Sequence, residues 1–250
     1  LELDPNGPDP WRARIAASYG IEVWPRIDTI QFTCQRYLPT PDGPRLMSER
    51  SWIHMPREAW TWLILPGDLL AEPFPAWPLA HLPGETGPQV DDPFYALREQ
   101  FLEDGEWLFL PYTLAVDSGL TLRDQGLTQA PLLDQVARRI DVARSLPGGK
   151  PKPKPEPKSS DQTNPQAADD SSDELLVDAA GNTIDPEQAD LELYLSESDW
   201  ILAARFGPGP ERQAVTWSEP WLAGGLGFSL KHVLPDGSWI EYTNIHVRLE

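Results

Sequence analysis

The chain has 250 residues, 40% of them hydrophobic, and carries a formal net charge of −19. That length suits one large domain or two small ones; the acidity repels phosphate backbones and anionic lipid, which sets nucleic acid and membrane surfaces aside as partners, and the lack of any run approaching ~20 apolar residues sets membrane insertion aside. A single cysteine, Cys34, excludes an intrachain disulfide and a cysteine-based zinc site.

Pro10 to Tyr19 reads as a short helix, with proline at its start and Gly20 just past its end. Ile30, Phe32 and Cys34 then alternate with Gln31, Thr33 and Gln35, the period of a half-buried strand. Thr40 to Pro44 spells TPDGP, a turn in which Pro41 presets φ and Gly43 accepts the left-handed conformation. Folding about it with Thr40 opposite Pro44 pairs Leu38 with Leu46 and Phe32 with Trp52. Arg57 to Leu65 is open between a helix begun by Pro56 and a strand with Trp60 and Trp62 on one face. The proline-rich stretch from Pro66 to Asp91 reads as a loop covering the sheet. Asp92 and Pro93 open a helix with Phe94, Leu97 and Phe101 on its apolar side, ending near Gly105 and followed by a short strand from Trp107 to Leu110. Pro131 to Ser145 reads as the best helix in the chain: Leu133, Val136, Ala137 and Ile140 form one stripe, and Asp134 and Arg138 sit four apart.

The run from Gly148 to Asp173 divides the chain. Its KPKPKPEPK segment alternates proline with charge, which imposes an extended polyproline spacer, and an acidic polar tail follows. Three parts are expected: an α+β block over 1–147, a disordered spacer over 148–173, and a mainly β block over 174–250 that docks on or completes the first. In the second block Leu175 to Asp178 and Thr183 to Ile184 flank an AAGN turn, while Trp200 to Phe206 and Gln213 to Trp217 read as strands. LPDGS at Leu234 to Ser238 closes a last hairpin that sets Val233 opposite Trp239 and Lys231 opposite Glu241. The expected fold is therefore α+β, an antiparallel sheet built from PDG-turn hairpins and backed by two or three helices.

Catalytic signatures are sparse. The four histidines, His54, His81, His232 and His246, make no metal-ligand spacing, and no GxSxG elbow occurs. Gly224, Gly225 and Gly227 in AGGLGF lead into a strand, so they read as a bend in the sheet instead of a phosphate loop. Asp68, Glu72 and Asp117 lie near aromatics and are the carboxylates open to glycosidase-like chemistry. No cofactor and no metal is expected, and the chain reads as non-enzymatic. Eleven tryptophans are the compositional anomaly, and exposed indoles stack on sugars or anchor interfaces. Trp217, Glu219 and Trp221 of WSEPW, with Trp60, Trp62 and His54, are the candidate binding residues.

From the acidity and the missing catalytic motifs, the expected function is an acidic adaptor or inhibitor-like partner of a protein with a basic surface. Carbohydrate binding or glycoside processing, and a structural part of a larger assembly, stand as alternatives. The expected compartment is the cytoplasm; because residue 1 is leucine, a processed form that has lost a leader stays open beside it.

Overall fold

The computed structural model describes residues 10–67, 69–76, 93–144, 191–207 and 212–250. The spacer at 148–173 and the expected AAGN turn with its flanking strands lie outside the described residues.

Helix α1 (Pro10–Ser18) stops at Gly20, whose φ of 70° is left-handed. Glycine is needed there twice over, since a Cβ would also lie 2.0 Å from the Gly225 carbonyl oxygen. A 3₁₀ segment, Ile21–Arg26, leads into β1 (Ile27–Thr40), which pairs with β2 (Gly43–Met55). Phe32 faces Trp52 and Ile30 faces His54, but at the turn Thr40 pairs with Gly43 and Tyr37 with Leu46. That one-residue difference from the expected register is absorbed by an irregularity between Arg36 and Tyr37. The ambiguous tryptophan segment is strand β3 (Trp60–Leu65), followed by the two-residue strands β4 (Leu69–Leu70) and β5 (Phe74–Pro75).

Two expectations fail next, for related reasons. Helix α2 (Tyr95–Val116) runs straight through Gly105 and Pro111, so the strand expected from Trp107 to Leu110 is helical. Glycine suits position 105 because a Cβ there would sit 2.9 Å from the Phe109 ring. The second helix, expected at 131–145, is instead strand β7 (Val136–Arg144), paired with β6 (Leu120–Gln129). β-Branched Ile140 and Val142 point into the core two residues apart, and Arg138 bonds Asp124 across the ladder at 2.6 Å instead of reaching Asp134 along a helix. Tertiary burial overrides local spacing in both cases.

The chain continues through β8 (Leu191–Leu195), β9 (Ile201–Phe206), β10 (Gln213–Ala223), β11 (Leu226–Val233) and β12 (Trp239–Leu249). Among the described residues all strands share one 12-stranded antiparallel sheet in the order β4-β3-β2-β1-β12-β11-β10-β9-β8-β7-β6, with β5 also on β3. The architecture is α+β with a dominant antiparallel sheet. Every residue of α2 from Trp107 to Ala115 is buried. A flat sheet covers one side of a helix only, so the sheet and α1 together wrap α2.

Strands from before residue 145 and after residue 190 meet at two seams, with Cys34 opposite Tyr242 and Ile140 opposite Leu193. On this pairing the blocks 1–147 and 174–250 are proposed to depend on each other for stability, because each alone would leave long ladder edges bare. Fragments 1–147 and 174–250, expressed together, are expected to co-purify as a one-to-one complex with the circular dichroism of the intact chain. Fragments that fold separately and do not associate would count against it.

Candidate functional site

The interior between α2 and the inner face of the sheet is where the chemistry of this chain concentrates. Near its middle α2 is fastened by a charge. Asp104 is 1% exposed, and its carboxylate accepts from Arg50 at 2.5 and 2.7 Å and from the Trp52 indole N–H at 3.0 Å, with Arg36 at 3.4 Å. A carboxylate taken out of water is tolerable only with this degree of pairing. At the other end the buried Arg12 guanidinium donates to the carbonyls of Leu114 at 2.9 Å, Asp117 at 2.5 Å and Leu120 at 2.6 Å. It thereby satisfies carbonyls at and just beyond the helix C-terminus and sets positive charge against the negative end of the helix dipole.

Around and between those fastenings rings meet across the interface. Phe101 and Phe109 stand against Phe32 at 6.3 and 5.6 Å, and Trp107 packs edge-on to Phe206 and Trp217 at 5.0 and 5.3 Å. Tyr112 donates its hydroxyl hydrogen to the Gly227 carbonyl. Several buried polar atoms here nevertheless lack a hydrogen-bond partner: His54 Nε2, Thr113 Oγ1, Trp217 Nε1 and His232 Nδ1. Buried polar groups are nearly always paired, so this set on one helix–sheet interface requires a reason.

His54 and His232 are completely buried. Burial drives both imidazoles down to about 3 from an ordinary 6.5, against a small opposing effect of neighbouring backbone hydrogen bonds. His54 Nδ1 shares a hydrogen with Thr61 Oγ1 at 2.9 Å and its ring lies by Phe101 and Phe109. His232 is held through Nε2 by the Ser229 carbonyl and flanked by Trp217 and Tyr242. Burial also pushes the Cys34 thiol well up, with Asp104 adding to the effect.

The sequence-derived candidates are dispersed. Trp217 is buried while Trp221 is 53% exposed, so WSEPW does not present a pair of flat exposed rings. Glu219 is exposed at φ 57°, and the β10–β11 register runs unbroken past it, from Ser218 opposite Lys231 to Pro220 opposite Ser229. Trp60 and Trp62 share the outer face of β3, opposite Met55 and Ile53, and His54 belongs to the inner face. Glu72 is exposed, Asp117 is bonded to Arg144 at 2.9 Å, and Asp68 lies outside the described residues. Asp104, Arg12 and Trp107 were not singled out by sequence reasoning. Nothing local separates Asp104 from Glu103 and Glu106 beside it, and only its orientation toward β1 and β2 makes it the anchor. A surface pocket of about 190 Å³ is lined by Asp28, Met55, Arg57, Glu58 and Glu250, away from the aromatic interior. Among the described residues no group of three or more His, Cys, Asp or Glu side chains is placed to hold a metal, and no helix is long and apolar enough to cross a membrane.

No family model and no curated protein matches the sequence. Solved structures match over most of its length. A LolA-superfamily protein of Nitrosomonas europaea matches at 9% identity and a TM-score of 0.43, over 95% of this chain and 93% of that one. A DUF1329-family protein of Desulfovibrio piger matches at 9% identity and a TM-score of 0.40, over 95% and 92%. The third, an outer-membrane lipoprotein-sorting domain of Vibrio parahaemolyticus, matches at 9% identity and a TM-score of 0.39, over 96% and 91%.

The expectation of an acidic adaptor for a basic protein is not upheld. The charge distribution removes its physical motive. Most of the net negative charge lies outside the described residues, and the buried acids within them are already paired with arginine. The carbohydrate alternative loses its motive with the burial of Trp217.

Two outcomes follow from this geometry. Asp104→Asn is expected to lower stability by about 3 kcal/mol in chemical denaturation, the low end for a broken buried pair because Arg50 retains contact with water. The histidines act with a defined sign. Their folded-state affinity for protons is depressed, so their contribution is complete above pH 6.5 and is lost as pH falls toward about 3. Melting temperature is expected to drop across that window by the equivalent of about 1 kcal/mol per histidine per pH unit, and the drop should be visibly shallower in a His54→Phe/His232→Phe double variant. Equal acid limbs in the two proteins would contradict it.

Proposed function

We propose that the protein is a non-covalent carrier that shelters the hydrocarbon chain of an apolar or amphiphilic ligand between α2 and the inner face of its sheet. The observation that carries this reading is the set of unpartnered polar atoms on His54, Thr113, Trp217 and His232 along an otherwise apolar interface. A helix selected only to plug a core would leave no such atoms, since each costs about 1–3 kcal/mol when buried unpaired. Their persistence fits an interior with two occupants, α2 in the closed form and a ligand when α2 shifts.

The fastenings of α2 suit that exchange. Asp104 is held by arginines that remain 22% and 25% exposed, so the ion pair can be rehydrated from the surface without dismantling the sheet. Lipoprotein sorting, named for one of the matching structures, would be one setting for a carrier of this kind.

The neutral dye N-phenyl-1-naphthylamine, titrated into the full chain, is expected to give a saturable fluorescence rise that long-chain alcohols or esters displace. Uptake is expected to be faster in Asp104→Asn, where the helix anchor is weakened. No saturable rise in either protein would overturn the carrier reading.

A further inference from the structure

Trp217 on β10 and His232 on β11 are direct cross-strand partners on the inner face, their rings 5.0 Å apart and perpendicular within a few degrees at 85°. His232 is fully buried and Trp217 nearly so. Trp107 of α2 covers the indole, and Tyr242 of β12 stands edge-on to the imidazole at 5.3 Å.

Hydrogen bonding determines what each ring has left to offer. His232 Nε2 lies 3.0 Å from the Ser229 carbonyl oxygen. A carbonyl only accepts, so Nε2 carries the ring proton and the neutral imidazole keeps a bare lone pair on Nδ1. An indole nitrogen only donates. Neither His232 Nδ1 nor Trp217 Nε1 has a partner. Two adjoining buried side chains thus present one unused acceptor and one unused donor, walled by aromatic rings.

That combination selects among ligand groups. An ester, ketone or ether oxygen takes the indole N–H but leaves Nδ1 unpaired, and a carboxylate does the same while bringing a charge into an aromatic enclosure. A hydroxyl both donates and accepts at a single oxygen. We infer that Trp217 and His232 form a polar subsite for the hydroxyl of a long-chain ligand, as in a fatty alcohol or the free hydroxyl of an acylglycerol. This rests on the carrier reading, which supplies the space for the hydrocarbon chain along α2.

The test compares dodecan-1-ol with 1-methoxydodecane, which has the same chain but no O–H, as competitors of N-phenyl-1-naphthylamine on the full chain. The alcohol is expected to bind about tenfold tighter, the discrimination of one hydrogen bond. In His232→Phe that ratio should fall toward one, whereas Trp217→Phe removes the bond that both ligands accept and should weaken both while leaving the ratio near tenfold. Should either variant fail to fold, the ¹⁵N resonance of His232 Nδ1 in the unmodified protein decides: it is expected to shift on adding the alcohol and not the ether. Equal affinities for alcohol and ether in the unmodified protein, or an alcohol preference retained in folded His232→Phe, or an unmoved Nδ1 resonance, would each overturn the subsite and leave the carrier standing. Absence of dye binding altogether would overturn the carrier, and the subsite with it.

Discussion

The structure turns on a single constraint: α2, buried all round from Trp107 to Ala115, must also carry the buried carboxylate of Asp104 one turn earlier. Asp104 cannot enter the interior alone, and it is stable there because Arg36 and Arg50 reach it from neighbouring strands while Trp52 donates from the same ladder as Arg50. The β1–β2 register is therefore coupled to the helix. Arg36 and Arg50 come from strands whose irregularity near Tyr37 shifts the hairpin tip by one residue and leaves the pairs below it in place. A slip lower down would carry both arginines away from Asp104 and turn Phe32 and Trp52 outward. Charge pairing and aromatic packing thus specify the same register.

Enclosing α2 dictates the rest of the topology. A helix of 22 residues, about 33 Å long, needs several strands to cover it, and this chain recruits them from both sides of the segment outside the described residues. β1 closes onto β12 and β7 onto β8. Glycines appear where the wrapping is tightest. Gly227 leaves room for Trp200, whose ring would lie 2.8 Å from a Cβ there, and its carbonyl takes the Tyr112 hydroxyl while its N–H bonds the Tyr19 carbonyl at 2.9 Å. The AGGLGF run is thus a hairpin turn and a close-approach point between helix and sheet, in keeping with glycines that lead into a strand.

Legibility in the sequence followed how local the cause was. The α+β class and the strand character of residues 30–34 could be read, because alternation is set by immediate neighbours. The interior of α2 could not, since Gly105 and Pro111 are helix breakers by every local criterion and are tolerated only because the surrounding core has no alternative to a helix there. β7 was misread for the converse reason. Val136, Ala137 and Ile140 fit a helical stripe by spacing, yet Ile140 and Val142 fit a strand equally, and only the presence of β6 and β8 on either side decides. Of the interior site, His54 was visible as a histidine near the core. The donor and acceptor left over on Trp217 and His232 were not, since they depend on which ring atom meets the Ser229 carbonyl.

The two faces of the sheet use charge and polarity in opposite ways, and the contrast bears on function. On the outer face Asp141 and Glu192 sit directly opposite each other on β7 and β8, a repulsive cross-strand pair. Arg139 grips Asp141 at 2.7 Å and Glu192 at 2.9 Å, while Arg212 reaches Glu192 at 2.5 Å and the Tyr194 hydroxyl donates to it at 2.8 Å. That cluster is saturated and neutralised within itself, so it offers little to a charged partner. On the inner face the reverse holds: apart from the Asp104 anchor the walls are aromatic and aliphatic side chains, and polar atoms on His54, Thr113, Trp217 and His232 lack a partner. A protein that recognised its target by surface charge would leave its outer face unsatisfied and its interior closed. Here the unmet hydrogen-bonding capacity is inside, which is where a hydrophobic ligand with one polar group would have to lie.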